Sequence, residues 1–266
     1  IAADKAGAQS LAGKKGKEFS AAMEAAAEHN QKAKKRAPAA RRSSTAKRPG
    51  FEPVQLATLV DAVPTGNAWM HEIKFDGYRA LAAVKGGEVR IFTRSGLDWT
   101  EKFQSIADAL AGLDLPPALI DGEIVALDSK GNPDFSSLQA ALKGEGEAVL
   151  EFFAFDLLSL DGVDLRAASN IERKERLEAL LHAAEPPLHV ADHVIGAGEK
   201  LLETMCKASG EGIISKRIDA PYRGARTRNW LKVKCTLRQE FIIIGWSKSS
   251  AKGRAFSSLL LAQREA

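Results

Sequence analysis

The stretch HEIKFDGYR at residues 71–79 decides how this chain folds. An apolar strand predicted at Ala68–Ile73 runs into it, and a second strand predicted at Tyr78–Val84 leaves it. An Asp-Gly pair between two strands is typical of a turn, because glycine adopts backbone angles that other residues avoid. Lys74 therefore lies where a strand ends. Alone it is a weak signal, since a solvent-exposed lysine beside a turn gives the same pattern.

The chain around this stretch has an ordinary globular composition and an uneven distribution of charge. Its 266 residues are 45% hydrophobic, enough for one large domain or two small ones with a buried core. No run of about 18 apolar residues occurs, so we expect no membrane span. Residues 1–50 contain 12 Lys or Arg and 4 acidic residues, whereas the remainder is net acidic. This segment predicts a basic, largely disordered linker, which is either a nucleic-acid-binding arm or a solvated tether.

The two cysteines, Cys206 and Cys235, are the only ones in the sequence. Two isolated cysteines make neither a disulfide framework nor a zinc site. A reducing cytosol is therefore the expected compartment.

Residues 51–236 alternate between short apolar strands and helices. In the third predicted helix, Asn170 is expected to cap the start, and Arg173 and Lys174 are expected to face water. Strands dominate and the helices come between hairpins, which favours an α+β fold with mostly antiparallel sheets flanked by helices. The other predicted strands are Glu88–Phe92, Ala118–Asp128, Ala148–Leu158, Gly212–Arg217, Leu231–Lys234 and Phe241–Trp246. The predicted helices are Thr100–Ala111, Phe135–Leu142, Asn170–Ala184 and Glu199–Ser209.

Five further motifs follow Lys74 along the chain. They are TRSG at 93–96, DGEIV at 121–125, FAFD at 153–156, EGIISK at 211–216 and WLKVK at 230–234. This ordered set resembles the motifs of the covalent nucleotidyltransferases, which comprise ATP-dependent DNA ligases, RNA ligases and mRNA capping enzymes. The sequences of the motifs are most similar to those of the ligase domain in bacterial end-joining ligases of the ligase D type. The resemblance spans residues 51–234.

The resemblance implies a fold and a domain order. We expect an ATP-grasp-like nucleotidyltransferase (adenylation) domain at 51–236, and the first strands of an incomplete OB domain at 237–266. Such a barrel needs about five strands, and only two are predicted there. The final basic motif of the family, which binds pyrophosphate, is not found. We therefore expect this chain to bind ATP but to adenylate itself slowly or not at all.

The resemblance also implies that Lys74 is the catalytic residue, which becomes attached to AMP. A nucleophilic lysine must be uncharged, although free lysine is protonated at pH 7. Lys232 and Lys234 alternate on one strand, so both can face a triphosphate and crowd Lys74. The amine would attack the α-phosphorus of ATP, AMP would pass to the 5′-phosphate of nicked or broken DNA, and the 3′-OH would then seal the break with release of AMP.

The remaining site residues are carried over from the same resemblance, motif by motif. Phe155 would stack on adenine, although Phe153 shares its face of the strand, and the backbone of Glu72 would read the adenine amino group. The residues expected to contact ATP are Glu72, Ile73, Lys74, Arg79, Arg94, Glu123, Phe155, Ile214, Lys232 and Lys234. Those expected to hold Mg²⁺ or Mn²⁺ are Glu123 and Glu211. Those expected to contact DNA are Arg79, Arg94, Arg217, Arg226 and Arg228.

Partners and alternatives complete the interpretation. A ligase of this type implies nicked double-stranded DNA as substrate, the end-binding protein Ku as a partner, and fused polymerase or nuclease domains. We expect a monomer in the bacterial cytoplasm, at the nucleoid. An RNA ligase or a GTP-using capping enzyme would share the motifs of Lys74, Glu123 and Glu211. A non-catalytic nucleic-acid-binding scaffold with a basic arm is a third hypothesis, in which Lys74 would be dispensable.

Overall fold

The computed structural model describes residues 46–127, 133–145, 148–235, 241–250, 253 and 255–262. Most of the predicted basic linker at 1–50 therefore lies outside the described residues. The chain separates into two compact units, the first ending at Cys235 and the second beginning at Thr236.

Two β-sheets form the frame of the first unit. One sheet has the strand order β1-β11-β10-β2-β9, and the other has the order β4-β3-β5-β6-β7 with β8 paired to β6. All pairings are antiparallel except β1 with β11 and β6 with β8. The strands are β1 Leu56–Leu59, β2 Trp69–Ile73, β3 Tyr78–Gly86, β4 Glu88–Thr93, β5 Leu115–Leu127, β6 Val149–Leu160, β7 Val163–Asp164, β8 Leu188–Val190, β9 His193–Ile195, β10 Gly212–Arg217 and β11 Arg226–Lys234.

Helices pack on both sheets, the first three on the second sheet and the last on the first sheet. They are α1 Gln104–Gly112, α2 Phe135–Leu142, α3 Asn170–Leu180 and α4 Gly198–Lys207, and a 3-10 turn at Thr100–Phe103 precedes α1. The α+β fold with mostly antiparallel sheets flanked by helices is confirmed. The short strands β1, β7, β8 and β9 had not been predicted, because two to four residues carry too little periodicity to be recognised.

Alternation along β3 explains how one sheet serves two cores. Ala80 and Ala82 pack with the helices, whereas Leu81 and Ala83 join a cluster that contains Ile73 of the first sheet. Successive side chains of a strand point to opposite faces, so a strand buried on both sides reads as a continuous apolar run. The first sheet and the second sheet thus share one apolar layer. The candidate site lies along this layer.

The start of α3 differs from the prediction. Ser169, not Asn170, is the capping residue, since its hydroxyl accepts from the Glu172 backbone N–H and the Glu172 side chain reaches back to the Ser169 N–H. This reciprocal pair is a capping box. Asn170 is buried and donates to the backbone carbonyl of Arg217.

The expectation that Arg173 and Lys174 face water is wrong. Both side chains are fully buried. Arg173 makes a two-bond ion pair with Asp156 at 2.7 and 2.9 Å, and Lys174 donates to Glu72 at 2.7 Å. Buried charges are tolerated where they are paired and hydrogen-bonded. Helix α3 therefore packs with two cations turned inward, each on a carboxylate of a different strand.

The cysteines also differ from the prediction, because the structure joins Cys206 to Cys235 by a disulfide. Cys206 lies in the last turn of α4, and Cys235 follows β11 and donates its backbone N–H to the carbonyl of Glu211 at 3.0 Å. The fold brings two residues 29 positions apart to a Cα distance of 5.2 Å. Sequence spacing alone could not indicate this contact.

The disulfide predicts a dependence of stability on reductant. A cross-link across about 30 residues restricts the unfolded chain and should stabilise the first unit by about 3 to 4 kcal/mol. Urea unfolding with and without dithiothreitol measures this difference. The Cys206→Ser variant cannot form the bond. In both buffers it should unfold at the urea concentration that unfolds the reduced wild-type chain. Identical curves for the wild-type chain in both buffers would contradict the prediction.

The second unit contributes an antiparallel hairpin of β12 Ile242–Lys248 and β13 Phe256–Ala262. Both strands predicted here, at Phe241–Trp246 and Phe256–Ala262, are present. Their large apolar side chains are exposed within the described residues, namely Ile242, Ile243, Ile244, Trp246, Phe256, Leu259, Leu260 and Leu261. Across the described residues of both units, no helix is long and apolar enough to cross a membrane.

Candidate active site

A cavity of about 210 Å³ in the first unit gathers nearly all of the predicted nucleotide-contacting residues. Strands from both sheets line it, because the motif residues fall on β2, β3, β5, β6, β10 and β11. Of the predicted set, only Lys234 is absent from the lining. The lining residues are Leu56, Ala57, Glu72, Ile73, Lys74, Phe75, Arg79, Arg94, Glu123, Phe155, Ile214, Lys216, Arg226, Trp230 and Lys232.

Lys74 is held beside the first residue of β10. Its backbone N–H donates to the carbonyl of Gly212 at 3.0 Å, and its amine donates to Oε2 of Glu211. Lys234 Nζ lies 3.0 Å from the other oxygen of the same carboxylate. Burial opposes ionisation of Glu211, but the hydrogen bonds from both lysines hold the pKa of its carboxyl below the usual range. Glu211 is therefore an ionised bridge between two amines.

Lys232 is the third amine of a group that also contains Lys74 and Lys234. Partial burial lowers the pKa of Lys232, and the charges of Lys74 and Lys234 lower it further. Lys232 lines the cavity while Lys234 is half-exposed at the end of β11. The expectation that these lysines crowd Lys74 described the cations but omitted the carboxylate that lies among them.

Glu123 is the second carboxylate of the site. It pairs with Arg79 across the β3–β5 register. Burial raises the pKa of Glu123 to about 7, against the lowering influence of Arg79 and Lys74, and the charge of Glu211 raises it too. Within the described residues no group of three or more metal-ligating side chains occurs. Two carboxylates still suit Mg²⁺, which takes one or two from a protein and its other ligands from phosphate and water.

The raised pKa of Glu123 predicts a pH-dependent stability. The folded state binds this proton more tightly than the unfolded chain does. The contribution of the protonated carboxyl to the free energy of unfolding is therefore fully present below pH 4.5 and is lost as the pH rises through about 7. In metal-free buffer with EDTA, Glu123→Gln should be more stable than the wild-type chain by about 2 to 3 kcal/mol at pH 8. The difference should vanish near pH 4.

Urea unfolding from pH 4 to 8 measures this effect. Glu101→Gln, at an exposed position, is the matched control and should follow the wild-type curve. A Glu123→Gln chain that is less stable than the wild-type chain at pH 8 would contradict the prediction.

Arg79 is anchored by a residue that the sequence had not singled out. The buried carboxylate of Asp121 accepts two hydrogen bonds from the Arg79 guanidinium, at 2.5 and 2.6 Å. The guanidinium carbon lies 4.5 Å from the centre of the Phe155 ring. Burial opposes the charge on Arg79, but Asp121 outweighs it and raises the pKa of the guanidinium. Asp121 opens the DGEIV motif, so the motif contained the signal.

A buried ion network also contacts Phe155. Glu72 accepts from Lys174 at 2.7 Å and lies 2.6 Å from Lys216. Lys216 Nζ lies 4.5 Å from the centre of the Phe155 ring and 4.3 Å from that of Trp230. Burial lowers the pKa of Lys216. Lys216 ends the EGIISK motif and had been assigned no role, because lysine is ordinarily a surface residue.

The arginines predicted to contact DNA occupy two kinds of place. Arg94 and Arg226 are exposed and line the cavity, and Arg226 also donates to the carbonyl of Ala57. Arg228 is exposed and Arg217 pairs with Asp219 at 2.8 Å, and neither lines the cavity.

A lysine amine lies on a carboxylate, and two cations approach an aromatic ring that lines the same cavity as the lysine. This arrangement fits a nucleotidyltransferase that acts through a lysine. Comparison with known families agrees with this class. The ATP dependent DNA ligase domain matches residues 54–234, and the chain belongs to this family.

Relatives place the chain near the end-joining ligases. The multifunctional non-homologous end joining protein LigD of Pseudomonas aeruginosa is 42% identical over 232 residues, which cover 84% of this chain and 27% of that protein. The protein of the same name from Mycolicibacterium smegmatis is 35% identical over 179 residues, covering 67% and 23%. The chain thus spans about a quarter of the length of these curated relatives. The predicted similarity to ligase D is confirmed.

Solved structures agree with the sequence relatives. A mycobacterial DNA ligase D complexed with ATP superposes with a TM-score of 0.62 at 35% identity, covering 79% of this chain and 69% of that chain. The Chlorella virus DNA ligase-adenylate, at 17% identity, superposes with a TM-score of 0.52, covering 80% and 81%, and shares the fold.

Proposed function

We propose that this chain carries the catalytic core of an ATP-dependent DNA ligase that acts in the joining of broken DNA. Lys74 takes AMP from ATP, the AMP passes to the 5′-phosphate at a nick or break, and the 3′-OH seals the strand with release of AMP. The observation that carries the proposal is that Lys74, Glu123 and Phe155 line one cavity, with Glu211 on the Lys74 amine, in a chain of the DNA ligase domain family.

In the first step the chain positions the amine and the phosphates. The Lys74 nitrogen forms a bond to the α-phosphorus as the bond to the pyrophosphate oxygen breaks, which is an in-line displacement. Glu211 accepts the hydrogen bond of the Lys74 amine and so orients it. Lys232 and Lys234 supply positive charge for the α-phosphate.

Nucleotide and metal ligands follow from the same geometry. Phe155 and Ile214 both line the cavity and are the apolar side chains that would contact adenine. Glu123 and Glu211 would hold Mg²⁺ or Mn²⁺, which would neutralise phosphate charge when bound. Arg94 and Arg226 would meet the phosphates of DNA, with Arg217 and Arg228 further along the surface.

Wider assignments rest on the relatives alone. The relatives are named multifunctional end-joining proteins, and the fused polymerase or nuclease domains and the partner Ku remain predictions. A monomer in the bacterial cytoplasm remains a prediction. The boundaries at 50 and 236 remain predictions as well.

Labelled nucleotides and defined substrates test the proposal. The chain, and a longer protein that contains it, should become labelled from α-labelled ATP in preference to GTP. The longer protein should seal nicked duplex DNA and leave RNA ends unjoined, and both activities should disappear in Lys74→Ala. Preference for GTP or for RNA ends would favour the other nucleotidyltransferases. Full DNA-binding function without any labelling, unchanged in Lys74→Ala, would favour a scaffold.

A further inference from the structure

A single buried hydroxyl links the two sheets behind the cavity. Tyr222 lies in the loop between β10 and β11, and its side chain is 3% exposed. Its oxygen accepts from the backbone N–H of Gln55 at 2.8 Å and donates to Oδ2 of Asp121 at 2.7 Å. Its ring meets Trp230 edge-on, with 5.7 Å between ring centres. Two hydrogen bonds therefore hold the hydroxyl, and the contact with Trp230 holds the ring.

The residues that it joins come from different sheets. Gln55 immediately precedes β1 in the first sheet, whereas Asp121 lies on β5 in the second. Both donor and acceptor capacity of the hydroxyl are used, since one hydrogen bond reaches each sheet. Burial raises the pKa of Tyr222, and the charge of Asp121 raises it further, so the hydroxyl keeps its proton and remains a donor.

Asp121 transmits this link to the cavity wall. Its two oxygens receive both hydrogen bonds from Arg79, and a third bond from Arg79 reaches the carbonyl of Gln55 at 3.3 Å. Tyr222 thus contacts both residues that hold the guanidinium. Arg79 in turn lines the cavity and lies 4.5 Å from the centre of the Phe155 ring.

We propose that Tyr222 is a positioning residue for ATP binding, whose hydroxyl fixes Asp121 and thereby keeps Arg79 against Phe155. This inference rests on the proposed function, since it takes the cavity to be the ATP site. Without the hydroxyl, Asp121 loses one partner and the Gln55 N–H is left buried and unpaired, which a protein interior disfavours. Arg79 then spends less time in the orientation that faces the nucleotide.

Calorimetric titration of ATP with Mg²⁺ tests the inference without relying on turnover. All variants are made in the 266-residue chain carrying Lys74→Ala, so that no AMP transfer occurs. Tyr222→Phe is expected to weaken ATP binding about fivefold to tenfold. Tyr78→Phe is the matched control, because the Tyr78 ring packs against Phe135 and Trp99 and does not line the cavity. It should leave the dissociation constant unchanged.

A double-mutant cycle separates positioning from general loosening. If Tyr222 acts through Arg79, Tyr222→Phe should cause no further weakening once Arg79→Ala is present. Asp121→Asn, which weakens the same anchor, should weaken ATP binding as well and provides a second variant if Tyr222→Phe unfolds. Circular dichroism melts confirm which variants are folded at the titration temperature.

The outcomes are distinct. No ATP binding by the Lys74→Ala chain itself would refute the proposed function. ATP binding that Tyr222→Phe and Asp121→Asn leave unchanged would overturn only the positioning role, as would an equal loss from Tyr222→Phe with and without Arg79.

Discussion

Replacing Arg173 with methionine is expected to lower the free energy of unfolding of the first unit by about 3 to 5 kcal/mol. Arg173 and Asp156 are both fully buried, so methionine would leave a carboxylate without its counter-charge. Arg173 also donates to the backbone carbonyls of Ala168 and Ala220, at 2.7 and 3.2 Å. These acceptors would lose their partner in the same substitution. Urea unfolding followed by circular dichroism measures the change.

The same helix supplies the control. Arg176 is exposed three residues further along α3, and Arg176→Met should change stability by no more than about 0.5 kcal/mol. Adding Asp156→Leu to Arg173→Met should recover part of the loss, because it removes the unpaired charge. Equal stability of the Arg173 and Arg176 variants would show that the buried pair is not what holds α3 in place.

Glu211→Gln is expected to have the largest effect on the chemistry among substitutions that keep side-chain shape. Glutamine cannot balance the charges of Lys74 and Lys234, and it is a poorer ligand for the proposed metal. Loss of several kcal/mol of charge stabilisation corresponds to a rate of Lys74 adenylation lower on the order of 10²-fold or more. Single-turnover labelling from α-labelled ATP in the longer, ligase-competent protein measures this rate.

Glu203→Gln is the matched control for this substitution. Glu203 lies on α4 and forms an exposed ion pair with Lys207, at 2.6 Å, away from the cavity lining. Its loss should leave the labelling rate unchanged. A Glu211→Gln protein that retains the rate within threefold of wild type would remove Glu211 from the catalytic machinery.

The sequence could predict the candidate site residues because their motifs occur in a fixed order that resembles a known family. Lys74, Glu123 and Phe155 lie far apart along the chain, yet all three line the cavity. Lys74 directly follows β2, whereas Glu123 and Phe155 lie on β5 and β6. The α+β class followed from the same strands, since long apolar runs with turns between them can be read locally. The resemblance of the ordered motifs to a family therefore supplied the candidate site residues.

The supporting contacts could not be predicted because they join residues that no local pattern connects. Asp156 and Arg173 are 17 positions apart, and Glu72 and Lys174 are 102 apart. Helical periodicity assigns charged residues to the solvent-exposed face of a helix. This assignment is correct only when the packed face meets no buried carboxylate. For the same reason, the sequence does not predict the hydrogen bond between Tyr222 and Asp121, which are separated by 101 positions.

Localisation of an AMP adduct tests directly whether Lys74 is the residue that takes AMP from ATP. The 266-residue chain is incubated for hours with ATP and Mg²⁺, and intact mass followed by tandem mass spectrometry of its peptides locates the modified residue. We predict slow accumulation of one adenylyl group, carried by Lys74 and absent in Lys74→Ala. An adduct on any other residue, or one that persists in Lys74→Ala, would contradict this prediction.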